Sequence, residues 1–207
     1  MAIPRCASCE VDDCRNGKDC FKAARRHLEL YDNERIGHLH RGATAIEARH
    51  YCKEPRLAEV ILLAKELEYR RLGLAFCIGL AEEARVIGRI LSRHFDVVSV
   101  CCKTGGIAKK TLGLEQIDPQ KEHETTCNPA GQAELLNEAE VDLNVLCGLC
   151  VGHDAIFSMI STAPVTTLIV KDRVLAHNPV GAVYCDYTRR WLEDEDQDEG
   201  NTRSDAS

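Results

Sequence analysis

The stretch that decides the fold runs from residue 72 to residue 101. It begins with LGLAFC (72–77), continues through an amphipathic segment from Leu80 to His94, and ends with VVSVC (97–101). The two short apolar runs predict buried strands, and the segment between them predicts a helix. A strand, a helix and a strand in this order are typical of a βαβ unit with parallel strands. The stretch therefore predicts an α/β fold.

The same alternation continues toward the carboxyl terminus. A helix is predicted to start at Pro129, with Asn128 as its N-cap. The further predicted elements are a strand from Asp142 to Cys147, a short helix from His153 to Ile160 and a strand from Val165 to Val170, and the run from Ala182 to Cys185 is a candidate fifth strand. We therefore predict a three-layer α/β domain with a mostly parallel sheet of four or five strands.

The first 71 residues follow a different pattern. Residues 1–20 contain four cysteines and little apolar periodicity, and helical patterns then run from Phe21 to Leu30, from Ile36 to Tyr51 and from Arg56 to Tyr69. The predicted organisation is a cysteine-rich metal-binding loop at 1–20, a helical segment packed on the body at 21–71, an α/β body at 72–192 and an acidic disordered tail at 193–207.

The 12 cysteines in 207 residues are the main compositional feature. A chain of this length can bury a core without disulfides, and the sequence shows neither a signal peptide nor an apolar run long enough to cross a membrane. We therefore expect a cytoplasmic protein. In a reducing compartment, closely spaced cysteines are typical of metal ligands or redox-active thiols.

Most of the net charge of −7 comes from the tail. The residues from Glu193 onward carry a net charge of −6, which leaves a nearly neutral body without a basic stripe. We therefore expect no nucleic-acid partner.

A first group of cysteines lies close together near the amino terminus. Cys6, Cys9, Cys14 and Cys20 fall within fifteen residues, and the Cys6-x2-Cys9 turn is typical of a tetrahedral thiolate site. The sequence predicts a metal site here. The cofactor is zinc or an iron–sulfur cluster, and the spacing favours zinc.

A second group emerges from the predicted strands. Cysteines follow the ends of three predicted parallel strands, and another precedes the helix at Pro129. Because ligands bind at the carboxyl edge of an open α/β sheet, we expect these thiols to form a second metal, cluster or redox site. The group comprises Cys77, Cys101, Cys102, Cys127, Cys147 and Cys150.

Two other kinds of function remain open. The first is a thiol enzyme acting on a small anionic substrate, with Cys102 or Cys150 as nucleophile, His153 as base and Lys171 or Arg173 as the anion-binding group. The second is an interaction module that recruits a partner through the metal loop and the tail. The sequence does not decide whether the protein is an enzyme.

Several local motifs resemble one known group of proteins. They are Cys6-x2-Cys9 with Cys20, GLAFCIGL (73–80), CK (102–103), CNP (127–129), GLCVGHD (148–154), and KDR (171–173) with HNP (177–179). On these motifs the chain resembles a prokaryotic family of cysteine-rich metal-binding proteins of unknown function. The resemblance spans residues 6 to 179 and implies metal binding without a defined reaction.

Overall fold

The computed structural model describes residues 3–193, so the predicted acidic tail lies outside the described residues apart from Glu193. The chain divides into two compact units, the first ending at Glu68 and the second beginning at Tyr69.

The first unit consists of a loop followed by helices. The loop contains short 3-10 turns at Cys6–Ser8 and Asp13–Asn16, and none of residues 3–22 is buried. The helices are α1 (Ala24–Leu28), which continues as a 3-10 turn, α2 (Glu34–His50) and α3 (Arg56–Glu66). The predicted three helices are therefore present. The Asn33 side chain caps α2 by accepting a hydrogen bond from the Ile36 N–H.

The second unit is an α/β domain, which confirms the predicted fold class. Its elements are β1 (Arg71–Phe76), α4 (Ala81–Leu91), β2 (Asp96–Cys101), α5 (Pro129–Glu138), β3 (Leu143–Cys147), α6 (His153–Ile160), β4 (Val165–Ile169), α7 (Gly181–Tyr184) and α8 (Asp186–Glu193). The four strands form one parallel sheet in the order β2-β1-β3-β4. The candidate fifth strand from Ala182 to Cys185 is wrong, because α7 occupies this part of the chain. A short apolar run fits a single helical turn as well as a strand.

Helices cover both faces of the sheet. Leu74 on β1 faces α4 at Gly88, whereas the neighbouring Gly73 faces Leu136 of α5. Because adjacent strand residues point to opposite faces, α4 and α5 lie on opposite sides and form the outer two of three layers. The core on the α5 side also contains Phe157 of α6.

Candidate functional site

The register of the strands separates the cysteines at the carboxyl edge into two sets. Phe76 pairs with Cys101 on β2 and with Cys147 on β3. Because successive residues alternate between faces, Cys77 and Cys102 fall on the opposite face from these partners. Both are buried in the core that α5 and α6 cover.

Four cysteines from four segments line one pocket at this edge. Cys77 follows β1, Cys102 follows β2, Cys127 precedes α5 and Cys150 follows β3. Cys77 and Cys102 are buried, and the other two are half-buried. The remaining lining residues are Pro129, Gln132, Leu149 and His153.

The pocket lies at the topological switch point of the sheet. After β1 the chain forms α4 on one face of the sheet and then β2 on one side of the β1–β3 pair. After β3 it forms α6 on the other face and then β4 on the other side of this pair. The crevice between the carboxyl ends of two such strands is where open α/β sheets bind ligands. The cysteines are therefore placed where a cofactor or substrate would be bound.

A tight turn after β3 directs Cys150 toward the pocket. Gly148 has a φ of +68°, and its N–H donates to the Ile169 carbonyl oxygen over 2.8 Å. A Cβ atom at Gly148 would clash with the Leu80 side chain. Both the left-handed backbone and the lack of space require glycine at this position.

Cys77 and Cys102 form a hydrogen-bonded pair. The Cys102 thiol, the Gly79 N–H and the Lys171 ammonium favour the Cys77 thiolate and lower the pKa of Cys77 to about 5, against the opposing effect of burial. The hydrogen bond to Cys77 and burial raise the pKa of Cys102. The Ile78 N–H also donates to Cys102 Sγ over 3.3 Å. The pair therefore favours the thiolate form of Cys77 and the neutral form of Cys102.

Two further pocket cysteines each contact a cationic side chain. Arg173 Nη2 lies 2.9 Å from Cys150 Sγ. Lys103 Nζ lies 3.6 Å from Cys127 Sγ and donates to the Thr125 carbonyl oxygen over 2.6 Å. These two contacts place positive charge directly against the sulfur atoms.

The lysine beside Cys77 depends on a glycine. A Cβ atom at Gly79 would lie 3.3 Å from Lys171 Nζ and 3.9 Å from Cys77 Sγ. The absence of a side chain at Gly79 therefore leaves room for the ammonium group next to the sulfur atom. As a result, three of the four pocket cysteines have a cation beside them, and the fourth accepts a backbone N–H.

Gln132 joins the strand ends beneath the pocket. Its Nε2 donates to the carbonyl oxygens of Val100, over 2.7 Å, and Phe76, over 3.2 Å. Gln132 is fully buried, and its Oε1 has no hydrogen-bond partner. Sequence reasoning missed this residue, although its position one turn into a helix that starts at the sheet edge could have indicated it.

Two cysteines of the predicted edge group lie outside the pocket lining. Cys147 is fully buried, and burial, followed by the charges of Glu83 and Cys77, raises its pKa to about 11. Cys101 is half-buried and, at the end of β2, still contacts the core that contains Cys77 and Cys102. The predicted His153 lines the pocket, and the predicted Lys171 and Arg173 lie beside pocket cysteines.

The four cysteines of the amino-terminal group line a different pocket, within the first unit. All four cysteines are exposed, and His27 also lines the pocket. Hydrogen bonds from the backbone N–H groups of Asp12 and Val11 lower the pKa of Cys9. Such N–H donors stabilise a thiolate. The members of this group are Cys6, Cys9, Cys14 and Cys20.

Neither pocket is already shaped as a metal site. Within residues 3–193, no group of three or more His, Cys, Asp or Glu side chains is arranged to hold a metal ion. The edge pocket has no room for a water molecule, so its lining side chains would have to rearrange to admit a metal ion or a cluster. Among the same residues, no helix is long and apolar enough to cross a membrane.

Comparisons with known proteins give a family but no activity. The model of the family described as "Protein of unknown function (DUF1847)" matches residues 16–168. An uncharacterized protein of Methanocaldococcus jannaschii is 47% identical over 184 residues, which cover 88% of this chain and 95% of that protein. No solved structure matches the chain. The chain belongs to the DUF1847 family.

Proposed function

We propose that this protein is a cysteine-ligated metalloprotein that holds an iron–sulfur cluster at the carboxyl edge of its sheet. Cys77, Cys102, Cys127 and Cys150 would be the ligands. The observation that carries the proposal is the convergence of four cysteines, from four separate segments, on one pocket at the topological switch point. Four thiolates are a donor set that suits an iron–sulfur cluster and also suits zinc.

The surroundings of the thiols favour an anionic assembly. Lys103, Lys171 and Arg173 provide positive charge, and backbone N–H groups after β1 donate to sulfur atoms. The four pocket cysteines lie far apart along the chain. The one C-x2-C pair at this edge, Cys147 with Cys150, has only its second member in the pocket lining, whereas structural zinc sites typically use both. These features support the cluster over zinc at this pocket.

A bound cluster would supply one-electron transfer. The chain's own residues would hold the four thiolates in place and balance their charge. Gln132 ties together the ends of β1 and β2, from which Cys77 and Cys102 follow. Leu149 and Pro129 contribute apolar surface that limits the access of water.

The amino-terminal group supports a separate, structural metal site. Cys6-x2-Cys9 has the spacing of a zinc-binding turn, and all four cysteines of the group line one pocket. Because residues 3–22 bury no side chain, metal binding would have to supply most of the free energy that orders them.

A thiol enzyme is the second candidate function. The lowered pKa of Cys77 favours it, because a thiolate is the nucleophilic form of cysteine. In this case Cys77 would attack the substrate, and Lys171 beside it would bind an anionic group. Cys77 would then be the nucleophile in place of Cys102 or Cys150, which the sequence predicts.

The experiment is metal and sulfide analysis of protein expressed and purified without oxygen. We expect iron and acid-labile sulfide in equal amounts, with broad visible absorption that Cys127→Ser and Cys150→Ser remove. The matched controls are Cys52→Ser and Cys185→Ser, whose sulfur atoms are exposed and outside both groups. Circular dichroism establishes that each variant is folded.

Two results would contradict the proposal. A colourless protein that contains only zinc would exclude the cluster. Iron and sulfide that persist in both Cys127→Ser and Cys150→Ser would place the cluster elsewhere. Rapid alkylation of Cys77 in a protein without metal at the edge would instead support the thiol enzyme.

A further inference from the structure

The three cations at the sheet-edge pocket occur in a regular pattern. Lys103 and Arg173 lie within 4 Å of the sulfur atoms of Cys127 and Cys150, and the Lys171 ammonium group lies beside Cys77. The three cations come from two separate loops: Lys103 follows β2, while Lys171 and Arg173 follow β4. They thus approach the pocket from its two sides. A single cation beside a cysteine is an ordinary surface contact, but one for each of three converging cysteines indicates a shared electrostatic role.

These contacts differ from the ion pairs elsewhere on the surface. Elsewhere in the described residues, arginine and lysine side chains pair with carboxylates, as in Arg71 with Asp96. Lys103, Lys171 and Arg173 instead have sulfur atoms as their neighbours. Their positive charge is therefore directed at whatever the four cysteines hold.

We infer that Lys103, Lys171 and Arg173 set the reduction potential of the sheet-edge cluster by stabilising its reduced form. This inference rests on the proposed function. Reduction adds one negative charge to the assembly, so nearby cations stabilise the reduced form more than the oxidised form and raise the potential. Net charge and hydrogen bonds to sulfur are the main protein influences on such potentials.

The partial burial of the pocket strengthens the effect of nearby charges on the reduction potential. Interactions between charges within a partly buried site are screened much less than those at an open surface. Lys103 and Lys171 are half-buried, so we expect neutralising either one to lower the equilibrium constant for reduction about tenfold, which is about 59 mV for a one-electron couple. Arg173 is exposed, so neutralising it should lower the potential by a smaller amount.

The test is a spectroelectrochemical titration of the loaded protein. Lys103→Gln, Lys171→Gln and Arg173→Gln should each lower the potential, and the charge-retaining Arg173→Lys should keep it close to that of the wild type. The matched control is Arg89→Gln, which removes an exposed arginine from the last turn of α4. A variant that loads poorly can still be measured, since a potential does not depend on occupancy.

The outcomes separate the inference from the proposed function. An unchanged potential in the three glutamine variants, or an equal decrease in Arg173→Lys, would overturn the inference while leaving the cluster in place. A wild-type protein without iron and sulfide would overturn the proposed function, and the inference with it.

Discussion

Asp172 and His177 exchange two hydrogen bonds that close the loop after β4. The Asp172 N–H donates to His177 Nδ1 over 3.1 Å, and the His177 N–H donates to the Asp172 carbonyl oxygen over 2.9 Å. The Asp172 carboxylate also accepts the N–H groups of Val174 and Leu175. This ring fixes the backbone on both sides of Asp172, where Lys171 and Arg173 are attached.

The first prediction concerns this ring. His177→Ala removes the acceptor for the Asp172 N–H and should weaken the loop by about 1 kcal/mol, the usual net contribution of one hydrogen bond. Hydrogen exchange at the Asp172 amide should become faster. His177→Asn should restore part of the protection, because its side chain can accept and asparagine tolerates the positive φ at this position. Equal protection in the wild type and the alanine variant would contradict the role of His177.

The second prediction concerns the buried carboxamide under the pocket. Gln132→Ala removes donors to Phe76 and Val100 and should lower the free energy of unfolding by about 1–3 kcal/mol. Urea denaturation of the metal-free protein measures this change. Glu134→Ala on the exposed side of the same helix is the control and should change stability little. Similar denaturation midpoints for both variants would contradict the prediction.

The third prediction compares two glycines that both have positive φ. Gly113→Ala meets no atom within 4 Å, so it should cost only the left-handed backbone strain of about 1 kcal/mol. Gly148→Ala has similar strain and also forces Leu80 to move, which should cost a further 1–3 kcal/mol, approximately. Thermal unfolding should rank the variants in this order. Equal destabilisation of the two variants would show that the Leu80 side chain moves without a loss of stability, and would contradict the prediction.

The fourth prediction concerns pH and the loop between β2 and α5. Lys109 Nζ lies 2.6 Å from a Glu124 carboxylate oxygen. Hydrogen bonding to Lys109 lowers the pKa of Glu124 below its ordinary value of 4.5 against opposing desolvation, with help from the N–H groups of Asp118 and Ile117. Glu124 therefore stabilises the folded loop fully above pH 4.5, and this contribution is lost as the pH falls through the lowered pKa.

Carboxyl-detected NMR on the metal-free protein checks this prediction. The titration midpoint of Glu124 should lie below 4.5, and Lys109→Met should raise it. A midpoint that is the same in both proteins would show that the ion pair does not form in solution.

The fifth prediction concerns the amino-terminal loop. Cys9→Ser should release the metal of that site and expose residues 3–22 to limited proteolysis, because these residues have no buried side chain to hold them. The α/β unit should remain resistant. Cys52→Ser, an exposed cysteine outside the group, should leave the cleavage pattern unchanged. Full protection of the loop in Cys9→Ser would contradict a metal site there.

The parallel sheet could be predicted because its strands are short apolar runs. The predicted run from Val165 to Val170 became β4 at Val165–Ile169, and the helix from His153 to Ile160 has the predicted bounds. Sequence periodicity carried this information since buried strands and amphipathic helices follow different repeats. The segment from Ala182 to Cys185 failed, because it is too short to show either repeat.

The candidate site could be predicted only in outline. The edge of the sheet followed from parallel strands, but the division of the edge cysteines depends on register, which pairs Phe76 with Cys101 and with Cys147. With the register known, the alternation of side chains between the two faces of the sheet separates Cys77 and Cys102 from Cys101 and Cys147. Lys103 and Cys127 lie at the two ends of a long loop, and the local sequence does not indicate that the loop brings them into contact.

The separation of the four pocket cysteines along the chain has a consequence for biosynthesis. Cys150 follows the third strand, so the pocket cannot exist until that strand has left the ribosome and joined the sheet. Cys6 to Cys20, in contrast, emerge together and can capture an ion while the rest of the chain is still being made. If both sites are filled, the amino-terminal group can be filled during synthesis, and the sheet-edge pocket can be filled only after the sheet has assembled.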